Sequence, residues 1–225
     1  GKPYLDGIEI LYIKDPMTQL MAFKAGEGHA LTFIQPKVAS ELRSLGYEVR
    51  PVVSAIRAFC PDDRHDPVLA NKKVREAIDY AINKKAIADT LGYGFWEPLY
   101  QFSPSKSYGY NPGLKVRSYN PERAKQLLAE AGYPNGFKMK AIIATQYANR
   151  DAKVAIMNDL DKVGIKLELD YADPGRWTQL RNEGWDKGLL YGLFGASDSY
   201  AYQMYEQFVS HGKRYINTTR LSGWD

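Results

Sequence analysis

Residues Asn120 to Pro134 constrain this chain more than any other stretch, because they spell out one complete short helix with both ends marked. The Asn120 side chain can accept from the backbone N–H groups that the first turn leaves without partners. Pro121 at the first helical position has its φ already set and needs no donor. Ala124, Leu127, Leu128 and Ala131 then recur at i, i+3, i+4 and i+7, one apolar stripe that must face a core. Gly132 follows where a left-handed backbone is cheapest without a Cβ, and Pro134 forbids continuation.

Helical and strand-like segments alternate along the rest of the chain. The expected order is a strand at Ile8 to Ile13, a helix at Pro16 to Ala25, a short strand at Leu31 to Ile34, a helix at Pro36 to Leu45 and a strand at Tyr47 to Val53. Ser54 to Asp66 breaks the pattern with Cys60-Pro61-Asp62-Asp63 and His65-Asp66-Pro67. It reads as a loop or interdomain crossing, with a hinge near Val53 to Phe59. A long helix is expected from Asn71 through Leu91, ended by Gly92 and Gly94. Phe95 to Ser118 is dense in Pro, Gly, Ser and Tyr and reads as an irregular loop.

After the capped helix come a strand at Lys138 to Thr145, a helix at Asn149 to Val163, a strand at Ile165 to Tyr171, a helix at Pro174 to Glu183 and a strand at Gly188 to Phe194. Helices alternating with short apolar strands predict an α/β fold, a mostly parallel sheet covered on both faces. The domain expectation is 1–53 as one piece and 54–225 as a second.

Several function classes find no support. The surplus of 30 basic over 26 acidic residues gives a net charge of +4, too weak a field for a nucleic-acid binder. No apolar run approaches the roughly 18 residues that cross a bilayer. Gly195-Ala-Ser-Asp-Ser199 lacks the second glycine of a nucleophile elbow, and Gly26-Glu-Gly28 and Gly92-Tyr-Gly94 lack the third glycine of a dinucleotide loop. His29, His65 and His211 share no ligand spacing, so neither a metal nor a cofactor is expected. The single cysteine, Cys60, is expected to be a small buried hydrophobe.

The segment Tyr119 to Phe137, YNPERAKQLLAEAGYPNGF, resembles the Y-D-P-x-K-A-K-x-L-L-x-E-A-G-Y-P-x-G-F run of the family 5 extracytoplasmic solute-binding proteins, the oligopeptide, dipeptide and nickel receptors of prokaryotic ABC importers. The resemblance continues in chain order at Pro3 to Asp15, Leu20 to Glu27, Val74 to Ile87, Val163 to Leu169 and Leu221 to Asp225. It implies a periplasmic-binding-protein-like fold of type II, with 54–225 forming most of the second lobe and 1–53 a remnant of the first. Gly1 would then lie inside a longer gene whose product carries a signal or lipoprotein leader, so the full-length form is lipid-anchored or free outside the membrane. The implied function is capture of a peptide or other small nutrient by a monomeric receptor in an interlobe cleft, followed by delivery to an ABC importer permease in the periplasm or at the outer cell surface. No bond is broken.

Ligands of open α/β sheets gather beyond the carboxyl ends of the strands, so the loops after Thr145, Tyr171 and Phe194 are the candidates. The last, Leu193 to Tyr202, takes the place of the family's G-W-x-A-D-Y-x-x-P loop, in which an aromatic residue and an Asp hold a peptide's backbone and amino end. Here Phe194 takes the Trp place, Ser197 stands where the Asp is expected and Asp198 comes one place late, with Tyr200 following. Asp198 would favour a cationic group and Tyr200 could stack on an apolar or sugar-like part. Arg181 and Arg57 are candidates to fork onto a ligand carboxylate. Two other classes stay open from the residues alone. One is an α/β enzyme with its chemistry in the strand-end loops; the other is an interaction domain built on the tyrosine-rich loop.

Overall fold

A computed structural model describes residues 4–32, 34–52, 55–63, 65–145 and 150–195, with backbone alone at 193–195. The chain divides into two compact units, Gly1–Val49 and Arg50–Asp225.

In the smaller unit the helices α1 (Pro16–Lys24) and α2 (Pro36–Ser44) form where the sequence predicts them. The Asp15 carboxylate caps α1 by accepting from the Thr18 amide at 2.8 Å. Leu20 from α1 and Ala39 and Leu42 from α2 are buried, Phe23 meets Tyr47 with ring centroids 5.3 Å apart, and Lys24 pairs with Glu41 at 2.6 Å. The expected strands at Ile8 to Ile13, Leu31 to Ile34 and Tyr47 to Val53 do not form among the described residues. A strand needs a neighbour to take its backbone N–H and C=O groups, and none of these segments finds one here. Ile8, Ile10 and Tyr12 are accordingly exposed.

The larger unit is built on one mixed sheet of four strands, in the order β1 (Ala55–Pro61), β4 (Leu189–Gly195), β2 (Phe137–Ala144), β3 (Ile165–Ala172). β2 runs parallel to both β3 and β4, whereas β1 closes the edge antiparallel to β4. β1 corrects the sequence reading of Ser54 to Asp66 as an irregular loop. Ile56 and Cys60 point into the core two turns of the pleat apart, and pairing with β4 overrides the local turn signals. Pro61 is tolerated because it ends an edge strand.

One face of the sheet is covered by α4 (Lys72–Ala81), α6 (Pro121–Glu130) and α7 (Arg150–Asp161), whose Val74, Ala77, Leu127, Leu128 and Leu160 pack on Met139, Ala141, Ile165 and Leu189. The other is covered by α8 (Pro174–Glu183), with Trp177 and Trp185 on Ile142, Leu190 and Ala172. Burying Leu127 and Leu128 contributes about 1.5–3 kcal/mol each.

The capped helix forms as its sequence predicts. The Asn120 side chain accepts from the Arg123 amide at 2.9 Å, its own amide donates to the Tyr80 carbonyl at 2.8 Å, and Gly132 takes φ +91°. The long helix expected from Asn71 to Leu91 is instead three pieces: α3 (Pro67–Ala70), α4, and α5 (Lys84–Leu91). Ile82 is extended, and Asn83 starts a new helix by accepting from the Ala86 amide at 3.0 Å. The Asn83 amide leaves the helical ladder and donates to the buried Asp159 carboxylate of α7 at 2.9 Å. That long-range partner breaks the helix, so local periodicity could not show it.

At the amino end of β4 two buried carboxylates pin the turn into the strand. Asp62 accepts from the Lys187 amide and Asp66 from the Gly188 amide, both at 2.9 Å, while Asp66 also caps α3 through the Val68 amide. Lys187 and Gly188 both take positive φ, 57° and 79°, and a Cβ at Gly188 would lie 2.2 Å from the Lys140 carbonyl oxygen.

Candidate functional site

Because β2, β3 and β4 are parallel, their carboxyl ends share one rim, joined by the amino end of β1 through the pairing of Ala55 with Gly195. A single cross-strand row runs just below it: Phe59, Tyr191, Ile143 and Tyr171 are mutual register partners across all four strands. These residues face the side covered by α7, since they keep the parity of Met139, Ala141, Leu169 and Leu189.

Two tyrosines of the row each hold a cation. At Tyr171, the Lys153 ammonium donates to the hydroxyl at 3.5 Å and lies 4.7 Å from the ring centroid. At Tyr191, the Arg57 guanidinium stands close enough to the hydroxyl to favour its ionised form. Burial pushes the Tyr191 phenol above its ordinary pKa, with Arg57 pulling the other way. Tyr191 also packs on Phe59 with centroids 5.0 Å apart, and its carbonyl accepts from the Trp177 indole at 3.1 Å, tying α8 across the strand. With β2 between them, the two tyrosines stand about 10 Å apart.

On the opposite face Asp170 is taken by Arg176, which donates to both carboxylate oxygens at 2.7 Å. Those hydrogen bonds hold the Asp170 carboxyl below its ordinary range. Cys60 is buried, and desolvation pushes its thiol up to about 12, which makes it inert. Among the described residues no three His, Cys, Asp or Glu side chains converge as a metal site, and no helix is long and apolar enough to cross a membrane.

The sequence profile described as bacterial extracellular solute-binding proteins, family 5 Middle, matches residues 1–215. The chain belongs to this family. It is 31% identical over 210 residues to heme-binding protein A of Haemophilus influenzae, covering 88% of this chain and 37% of that protein. It is 29% identical over 178 residues to the glutathione-binding protein GsiB of Escherichia coli K12, covering 78% of this chain and 35% of that one. Among solved structures, the periplasmic binding protein DppA of Helicobacter pylori in complex with the peptide STSA matches with TM-score 0.76 at 23% identity, covering 88% of this chain and 39% of that one. NikA of Brucella suis in complex with Fe(III)-EDTA matches with TM-score 0.79 at 21% identity, covering 95% and 46%. The chain therefore spans between about a third and just under half the length of these relatives. The fold is that of a type II periplasmic binding protein, a mixed sheet with flanking helices. Family 5 proteins bind solutes rather than transform them.

Against that family frame, the residues singled out from sequence fall in three groups. Arg57 sits two residues into β1, beside the rim, and reaches Tyr191. Arg181 is carried about 10 Å along α8 from its rim end, and its guanidinium lies 5.3 Å from the Trp177 ring centroid. Phe194, in β4, pairs through its backbone with Ile56 of β1, and Ser197, Asp198 and Tyr200 lie outside the described residues. Sequence reading missed Lys153, Tyr171 and Tyr191. The signal for the first was present: Lys153 precedes Ile156 and Leu160 by three and seven positions, a cation on the apolar stripe of α7.

Proposed function

We propose that this chain is part of the solute receptor of an ABC importer, binding a peptide or other small nutrient and handing it to the permease outside the cytoplasmic membrane. In this reading 54–225 form most of the second lobe of the whole protein and supply one wall of its ligand cleft, 1–53 belong to the first lobe, and the receptor acts as a monomer. Closure of the lobes on the solute shifts an open–closed equilibrium, and the closed form docks on the permease. No cofactor and no metal take part.

The observation that carries the reading is the family match over residues 1–215. It is supported by the three parallel strand ends on one rim, where Phe194 lies near the end of β4 and where Arg57 stands; Ser197, Asp198 and Tyr200, outside the described residues, complete the proposed ligand set. Arg181 is the weakest member of the proposed ligand set, being engaged with Trp177 along α8. The solutes in the relatives' names, heme and glutathione, and those bound in the solved structures, a peptide and a metal chelate, differ enough that the family alone does not select one.

The test is a thermal-shift screen of the full-length protein against peptides, di- and oligosaccharides and metal chelates. A true solute raises Tm, by about 2.7 kcal/mol of added stability at a hundred times its Kd. The 225-residue chain by itself should bind weakly or undetectably, and calorimetry giving it sub-micromolar affinity for a peptide would overturn the one-wall reading.

A further inference from the structure

Lys153 belongs to the first turn of α7 and is only 5% exposed, yet among the described residues its ammonium meets Tyr171 alone, through the hydroxyl at 3.5 Å and the ring with its centroid at 4.7 Å. An ammonium carries three donors, and a buried cation is normally matched by a carboxylate. Among the described residues none pairs with it. Asp170, its neighbour on β3, is held by Arg176 on the opposite face, and Asp151 in the same helical turn is exposed. Leaving a desolvated cation with one long hydrogen bond and one aromatic ring is costly unless an anion completes the site.

The surroundings fit that anion. Tyr171 is the penultimate residue of β3, and α7 is the helix that follows β2, so the ammonium lies at the rim where the parallel strands end. Tyr171 is 52% exposed, which gives a solute access along its flank, and its hydroxyl can donate to an oxygen that the ammonium also holds. The amino end of α7 adds its own positive potential on the same side. Across Ile143, Arg57 on Tyr191 keeps a second cation on that face.

We propose that Lys153 and Tyr171 form a subsite for a carboxylate of the solute, so that this receptor takes an anionic ligand or one with an anionic end. The inference deepens the receptor reading and rests on it for the word solute. The test does not, because it uses acetate as a free carboxylate probe. Thermal unfolding of the 225-residue chain is followed in sodium acetate against sodium chloride of equal ionic strength, with acetamide as the neutral isostere, for the native sequence and for Lys153→Met.

At about ten times the acetate dissociation constant the native chain should gain about 3 °C over the Lys153→Met response, with no gain in acetamide. The general salting effect of acetate is common to both proteins and cancels in the comparison. Equal acetate responses in the two proteins, or no response in either, overturn the subsite. Should Lys153→Met fail to fold, Tyr171→Phe decides instead: the half-exposed ring stays and only the hydroxyl goes, so the acetate gain should shrink several-fold, and an unchanged gain overturns the proposal. A failed solute screen of the full-length protein with an intact acetate response would sink the receptor reading and leave the anion site standing.

Discussion

The backbones of Gly136 and Gly164 touch: a Cβ built on Gly136 would lie 2.0 Å from the Gly164 carbonyl oxygen, and Gly136 holds φ +73°. That same carbonyl accepts from the Phe137 amide at 3.1 Å, which sets Phe137 opposite Ile165 and hence the whole β2–β3 register. Gly136→Ala must both strain a left-handed backbone and push the two strand starts apart. It is expected to cost about 3 kcal/mol, read as a lower urea midpoint at unchanged m-value.

Asp62 and Asp66 hold the turn into β4 by its backbone amides, so their removal leaves buried donors with no acceptor. Asp62 is 1% exposed. Asp62→Ala should cost about 3 kcal/mol in chemical denaturation, whereas Asp173→Ala, which removes only the exposed cap of α8, should cost about 1 kcal/mol.

Cys60 gives the fold an alkaline limit. Its buried thiol keeps its proton up to about 12, while the unfolded thiol loses it near about 8.5. The folded state therefore binds more protons between these values, and the thiol's contribution is complete below about pH 8.5 and lost as pH rises above it. By pH 10 the loss should be on the order of 2 kcal/mol. Cys60→Ala should start from a lower stability and show a flatter profile from pH 8.5 to 10. In the native protein Cys60 should resist a thiol reagent until denaturant unfolds the chain.

The Asp170–Arg176 pair works in the acid range. Hydrogen bonds from Arg176 hold the Asp170 carboxyl below its ordinary value, so the folded group binds its proton less tightly than the unfolded one. The pair's contribution is present above about pH 4 and fades as pH falls below it. With Arg176 partly exposed and screened by solvent, Asp170→Asn should cost about 0.5–1 kcal/mol at pH 7 and progressively less as pH falls below about 4.

Residues 50–225 contain the hydrophobic clusters on both sheet faces, and the buried Leu20, Ala39 and Leu42 belong to neither. A fragment starting at Arg50 should keep its sheet and unfold cooperatively within a few degrees of the longer chain. Dye binding to exposed apolar surface should fall when 1–49 are removed, because Ile8, Ile10 and Tyr12 go with them.

The candidate site was legible in its location more than in its members. Parallel strands with helices between them imply a site at the loops after β2, β3 and β4, and those strand ends do share a rim. Arg57 was singled out as part of an interdomain crossing, but it belongs to the sheet and reaches Tyr191. Lys153 is not legible as a site residue from sequence, because its meaning depends on Tyr171, eighteen residues on and in another element.

What the sequence determined alone are the features whose cause is local. The α6 helix carries its cap, its stripe and its stop within fifteen residues, α8 starts at Asp173-Pro174 for the same reason, and β2 and β4 announce themselves as largely apolar segments and β3 as an apolar–charged alternation between helices. Tertiary structure decided whatever needs a remote partner. β1 is a strand because β4 lies beside it, α4 and α5 are separate because Asp159 takes the Asn83 amide, and Ile8 to Ile13 stays unpaired because a strand is defined by the neighbour that accepts its hydrogen bonds.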